Sequence, residues 1–389
     1  MPDAEHGENA DAYERLRRVL FRMDPEQAHH LGTLAGQVGQ RFAGRLLKNS
    51  FAFDHDALEQ WIWRMRFTNP IGLAAGFDKN ARLTAFAEQL GFGFTEVGSV
   101  SALPSKGNPR PRLFRLPADE ALVNRMGLNN SGARRIAARL RRRRDSIGLP
   151  LGVNIAKTHS PDILGEAAVD DFVESFRRMA PLADYVTLNI SCPNTAEGTT
   201  FEEPSAFESL ITAIMLARRE ANLSTPILIK LSPPPTARVV FDSMVEDIVS
   251  ISIAHGVDGF VATNTASDRM GLQTSHEQLE AIGPGGLSGP PIEERSNQLI
   301  RYLYARTKGA VPIIGVGGVR SGESAYRKLK AGASLVQLYT ALVYQGPGVV
   351  RTIKEDLVEC IEQAGYRSVR DVIGLDHAEE PDRFTLRPS

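Results

Sequence analysis

From Pro70 onward the chain alternates short apolar runs with amphipathic stretches at helical spacing. Eight runs read as buried strands: Ile71–Ala75, Phe94–Val97, Leu151–Ile155, Tyr185–Asn189, Ile227–Leu231, Gly259–Thr263, Val311–Gly315 and Leu335–Tyr339. Helical stretches separate or follow them: Ala81–Leu90, Gly132–Arg143, Ala168–Ala180, Ala206–Ala221, Ala237–His255, Pro291–Thr307, Glu323–Ala331 and Gly348–Ala364. Eight strands alternating with eight helices over about 300 residues predict an α/β fold, the (β/α)8 or TIM barrel. Inside the long second strand-to-helix connection, Arg112–Leu116 and Ala121–Asn124 read as a small hairpin. Ahead of the rhythm, Trp61, Trp63, Met65 and Phe67 alternate as in one half-buried strand.

The N-terminal pattern differs. Residues 1–10 are polar and predict a disordered tail. Tyr13, Leu16, Val19 and Leu20 then fall at helix spacing among arginines, and Asp24-Pro25 reads as an N-cap followed by Pro at the first helical position. A second helix carries Ala28, Leu31, Leu34, Ala35, Val38 and Phe42. The pair either packs on the main domain or also rests on anionic lipid. The expected organisation is a tail (1–10), a helical appendage (11–50), a barrel (51–365) and a C-terminal tail (366–389).

Composition narrows the function classes. A chain of 389 residues with 42% hydrophobic and 23% charged residues is ordinary for a globular protein, and its net charge of -1 argues against nucleic acid as a partner. The two cysteines, Cys192 and Cys360, exclude a disulfide framework and fit a reducing compartment. No apolar run reaches the roughly 18 residues of a membrane span, and the first residues do not form a signal peptide. No Cys/His grouping has metal-ligand spacing, so no metal is expected.

The chemistry concentrates where a barrel keeps its active face, at the strand C-termini. The fourth strand ends in Leu188-Asn189-Ile190-Ser191-Cys192-Pro193-Asn194, where Pro193 must stop the ladder. Two Asn side chains can donate and accept toward a planar, amide-bearing ligand, and the Cys192 thiol is the nearby group that could move a proton. Taken alone, the heptapeptide reads equally as a turn with Asn as turn former and Cys as a small core residue. Other strand ends add Ala75, Gly76 and Lys79, then Ser99, Asn154 and Lys157, then Lys230, Thr263, Asn264 and Thr265. The last two add Gly317-Gly318 and Tyr339-Thr340, the place where barrels hold a phosphate on backbone N–H groups. Phosphate, many amide donors and a buried Lys230, able to stabilise an anion formed on reduction, suggest flavin mononucleotide (FMN).

These residues resemble the dihydroorotate dehydrogenases, and within them the quinone-dependent, membrane-associated class, over about residues 11–365. The resemblance rests on Phe21 to His29, Asn69 to Asn80, Gly107 to Arg115, Asn124-Arg125-Met126-Gly127, Gly285 to Gly289 and Ile313 to Gly318. It implies that Ala75, Gly76, Lys79, Ser99, Asn154, Asn189, Lys230, Thr263, Gly289, Gly318, Tyr339 and Thr340 surround FMN. Lys79, Asn124, Arg125, Met126, Gly127, Leu128, Asn189, Asn194, Asn264 and Thr265 would hold dihydroorotate or orotate. His29 and Arg115 would line a tunnel admitting ubiquinone or menaquinone under the N-terminal helices. The implied reaction belongs to pyrimidine synthesis: a base takes the C5 proton and a hydride leaves C6 for the flavin. The implied protein is a monomer, peripheral to the cytoplasmic face of the cell (inner) membrane.

Three departures from the class pattern stand out. Cys192 replaces the usual Ser, as in the soluble class; Leu128 replaces Phe; and Thr195-Ala196-Glu197-Gly198-Thr199-Thr200 replaces the usual Thr-Pro-Gly-Leu-Arg loop over the substrate. A thiol, with a reference pKa of about 8.5, can serve as base with less help than a hydroxyl. Alternative readings are a paralogue acting on another small cyclic amide or enoate, a soluble enzyme using fumarate or a nicotinamide-linked partner, and an inactive flavin-binding module.

Overall fold

The computed structural model describes residues 13–191, 201–235 and 243–379. Cys192, Asn194 and the Thr195–Thr200 loop lie outside the described residues.

Eight parallel strands close into a barrel: β1 Ile71–Leu73, β2 Phe94–Val100, β3 Leu151–Ile155, β4 Tyr185–Asn189, β5 Ile227–Leu231, β6 Gly259–Ala262, β7 Ile313–Val316 and β8 Leu335–Leu338. Each pairs with the next, and β8 pairs with β1 through Val336 opposite Ile71. Six strands are buried at every position, β2 at all but Ser99 and β7 at all but its last, which is why they read as continuous apolar runs rather than alternating ones. Helices such as Glu166–Met179, Pro204–Glu220 and Glu293–Thr307 bury one face against this wall.

Three differences from the sequence expectations bear on the site. The stretch from Trp61 to Phe67 is a hairpin, Gln60–Ile62 paired with Met65–Phe67, because Trp63 and Arg64 both adopt positive φ and reverse the chain. It plugs the barrel floor: Ile62 and Phe67 pack with Phe94, Tyr185, Leu228 and Ile314. The predicted hairpin near 112–124 forms as Leu113–Leu116 with Ala121–Asn124, but gains a third strand, Gly286–Ser288, beside Ala121–Asn124. The stretch expected as a tail from 366 folds back at least to 379, with Val369 and Val372 fully buried and His377 against Tyr304.

The appendage comprises a helix over 13–20, then Pro25–Phe42 and Gly44–Phe51, two helices that meet at Ala43. Asp24 caps the long helix by accepting from Gln27 N at 3.0 Å, as its position before Pro25 implies. Glu26, in the first turn, pairs with Arg112 at 2.7 Å and Arg110 at 3.0 Å on the approach to the hairpin. Gln40 bonds Arg82 O and Phe86 N on the far side. Leu31, Leu34, Val38, Phe42 and Leu46 stay exposed, so the helices offer an apolar face that the barrel does not cover. No helix among the described residues is long and apolar enough to cross a membrane.

Candidate active site

A cavity of about 1440 Å³, part of it open to solvent, lies over the strand C-termini. Its wall is built from each side in turn. The loop after β1 contributes Ala75, Gly76 and Lys79. Asp78, buried there, accepts from Arg82 N at 2.9 Å and Leu83 N at 2.6 Å and thereby shapes the turn that carries Lys79. Burial pushes the Asp78 carboxyl up in spite of those amides. The β2 register shifts between Val97 and Val100, which turns Ser99 to the cavity. Asn189, Lys230, Thr263, Asn264 and Thr265 follow from β4 to β6, with Gly318, Tyr339 and Thr340 from β7 and β8. The three-stranded sheet contributes Asn124, with Met126 and Leu128 after it and Gly289 just past the third strand, and His29 enters from the appendage.

A hydrogen-bonded relay orients the amides. Fully buried Glu96 on β2 accepts from Asn154 Nδ2 (2.9 Å), Tyr185 OH (3.1 Å) and Gln337 Nε2 (3.0 Å). Asn154 Oδ1 accepts from Ser99 Oγ, which in turn accepts from Asn189 Nδ2 at 3.1 Å. Asn189 Oδ1 accepts from Asn264 Nδ2 at 3.1 Å, and that amide also reaches Ser191 O at 2.8 Å. Each amide is thus fixed in rotamer and flip before any ligand arrives. Burial, with the Glu96 carboxylate second, holds the Tyr185 phenol well above its ordinary value, so it remains a donor.

Electrostatically the cavity is poised around neutral pH. Lys79 donates to Gly76 O at 2.8 Å, and burial brings it down to about 8, with the Glu26 carboxylate opposing. Burial, reinforced by Lys79, brings His29 down to about 4, so its imidazole is neutral. Its ring stands edge-on to Phe77 at 5.1 Å and stacks on Tyr339 at 6.5 Å. Burial lifts Tyr339 to about 12.

Among the described residues, five expected ones are not on the wall, and the first, Lys157, donates to Ile163 O at 2.8 Å instead. Asn154 stands behind Ser99 in the relay. Gly127 faces Asn108, whose backbone N would lie 2.6 Å from an added Cβ. Arg125 turns outward, donating to Ile282 O and to Pro284 O, with its guanidinium 4.6 Å from the Phe114 ring centre; it ties the sheet to the loop before Gly286. Arg115 lies beside the appendage, 4.6 Å over the Phe21 ring and donating to Met23 O at 3.0 Å. Sequence reasoning missed Gln337, Glu120, Ser288 and Arg320, which also line the cavity. Gln337 carried a signal, being the one polar side chain inside the apolar β8 run; the others depend on how loops meet. Among the described residues no group of His, Cys, Asp and Glu could hold a metal ion.

A family profile described as dihydroorotate dehydrogenase matches residues 57–361. The chain belongs to the dihydroorotate dehydrogenase family. A Gloeobacter violaceus protein named dihydroorotate dehydrogenase (quinone) is 42% identical over 366 residues, covering 94% of this chain and 99% of that one. The mitochondrial dihydroorotate dehydrogenase (quinone) of Mus musculus is 42% identical over 373 residues, covering 93% of this chain and 88% of its own length. The ligand-free enzyme from Eimeria tenella superposes with a TM-score of 0.79 at 34% identity, over 91% of this chain and 99% of that structure. The chain is therefore an oxidoreductase of a family whose relatives carry the quinone-linked name.

Proposed function

We propose that this chain oxidises dihydroorotate to orotate on bound FMN and passes the electrons to a membrane quinone. One observation carries the reading: Lys79, Lys230, a pre-oriented set of Asn amides and four positive-φ glycines (Gly76, Gly289, Gly317 and Gly318) meet in one cavity at the barrel's C-terminal face. The donor set fits a flavin nucleotide. Lys230 suits the polar edge of the ring, as does Gln337 Oε1, an acceptor buried without a hydrogen-bond partner, and the Gly317-Gly318 turn suits its phosphate. When bound, FMN supplies the acceptor for two electrons.

The protein's own groups do the rest. Lys79 pairs with the substrate carboxylate, while Asn124, Asn189, Asn194, Asn264 and Thr265 match its ring amides. Cys192 takes the C5 proton; its thiol needs less help than a hydroxyl to become a base near neutral pH. Neutral His29 at the appendage end of the cavity, with Arg115 nearby, marks the side from which a quinone would enter. The exposed Leu31–Val38–Phe42–Leu46 face would then rest on the membrane that holds it, making the protein peripheral to that membrane.

Anaerobic mixing with dihydroorotate tests the reading. Bleaching of the visible flavin absorption is expected. No bleaching, with flavin bound and orotate leaving its spectrum unchanged, would refute the substrate assignment and make the altered Thr195–Thr200 loop the mark of another small cyclic amide or enoate substrate.

A further inference from the structure

Lys328, on the helix Gly322–Ala331 that follows β7, is fully buried. Its ammonium donates to Ser296 Oγ at 2.9 Å and Asn297 Oδ1 at 2.8 Å, both neutral. Among the described residues, no carboxylate stands within ion-pair distance of it. Glu293 and Glu294, on the facing helix, are the nearest opposite charges, and Arg301 and Arg327 oppose them. Glu293 is already taken by Arg327 at 2.7 Å, and β6 and β7 present no titratable side chain to the ammonium. An ammonium held against neutral partners in a core is costly, so its retention calls for an anion within reach of its field.

The route from Lys328 to the cavity is short. Ser296, its first partner, donates to Val316 O at 2.7 Å and lies 3.1 Å from Ala262 O. Those carbonyls end β7 and β6, and the next residues, Gly317 and Thr263, are on the cavity wall. Gly317 rests on the same serine, since an added Cβ would come within 3.3 Å of Ser296 Cβ. Gly318 has no room for one at all, with Glu293 Cβ 2.4 Å away. Their φ angles of +115° and +79° are open to glycine, as in the loops that hold an anion on backbone N–H groups.

We propose that Lys328 is the buried counter-charge of the phosphate subsite, a positioning residue acting through Ser296 on an anion seated at Gly317 and Gly318. This rests on the reading of the cavity as an FMN site. Burial brings Lys328 down to about 7 in the ligand-free protein, so a dianion at the glycines would draw it back to the charged form.

The test compares FMN with riboflavin, which lacks the phosphate, on the full chain reconstituted with each. Lys328→Met should weaken FMN about tenfold, one unit of binding exponent, and leave riboflavin unchanged. Equal weakening of both, or an unchanged FMN affinity, overturns the proposal. A second measurement needs no variant. In the wild type, FMN affinity relative to riboflavin should fall as pH rises from about 7 to 9, because Lys328 loses its proton; Lys79, which titrates in the same range, faces both ligands alike and cancels in the ratio. A flat ratio overturns the proposal on its own. Failure of the wild type to bind either flavin would overturn the FMN reading and this inference with it, whereas FMN bound without these differences overturns only the role of Lys328.

Discussion

Lys79 offers the sharpest test of how substrate is held. Its ammonium is half-buried in the cavity wall and lowered to about 8, chiefly by desolvation, so the ligand-free protein loses that charge just above neutral pH. Only the protonated form pairs with a carboxylate. Orotate affinity should therefore be level below about pH 8 and fall by up to tenfold for each pH unit above it, until bound ligand can no longer hold the proton. A charge-assisted hydrogen bond is worth about 1.5–3 kcal/mol, so Lys79→Met should weaken orotate by roughly 10- to 100-fold at neutral pH. The same variant should also remove the alkaline loss. Titrating orotate into the flavin-bound protein, with the flavin spectrum as readout, measures both quantities. Any ionisation of the ligand itself appears in wild type and variant alike. Identical pH dependence in the two proteins would refute Lys79 as the carboxylate partner.

Other residues give independent tests. Cys192→Ser should retain some activity with its onset moved to more alkaline pH, since a hydroxyl needs more help to lose its proton; an unchanged profile would discard Cys192 as the base. In Arg115→Ala, quinone turnover should fall while anaerobic flavin reduction by dihydroorotate stays intact, and equal loss in both steps would rule out a role on the quinone side. Glu26→Ala leaves Arg112 buried without its carboxylate and should destabilise the appendage by about 3 kcal/mol, read as earlier proteolysis near the 24–26 junction or a lower denaturation midpoint. The Arg112 hydrogen bond holds Glu26 below the usual carboxylate range. That stabilisation is complete above the ordinary carboxylate pKa and disappears as pH falls through the lowered one, so acid should release the helices in wild type but not further in the variant. Wild type and variant losing the appendage at the same pH would contradict this.

Much of this protein was legible along the chain. Burial on both faces makes parallel barrel strands uniformly apolar, so β1 to β8 stand out as runs, and the barrel's rule that function gathers at strand C-termini directs attention to Lys79, Ser99, Asn189, Lys230 and Thr263. Asp24-Pro25 marked its helix start because capping is a local matter. Elements whose shape comes from reversal or distant pairing were not legible. Trp63 is an unusual residue to find at positive φ, and it holds that turn because its indole donates to Asp258 O at 2.7 Å across the barrel floor. Gly286–Ser288 becomes a strand only because the Ala121–Asn124 edge is there to receive it.

The same division runs through the site. Residue type and strand position, properties of the chain, determined which side chains could do the chemistry. Tertiary structure decided which of them face inward. Arg125 belongs to the sequence segment that supplies Asn124 and Met126, yet carbonyls 157 and 159 residues away draw its guanidinium outward. Glu96 and Gln337, 241 residues apart, meet in the barrel interior and set the direction of every amide in the relay. Lys328 looks like an ordinary helix-surface lysine in its sequence, and only packing against Ser296 and Asn297 makes it a buried charge. Periodicity records how far a residue is from water; it carries no record of which distant partner a polar group finds there, and that pairing sets its charge and its aim.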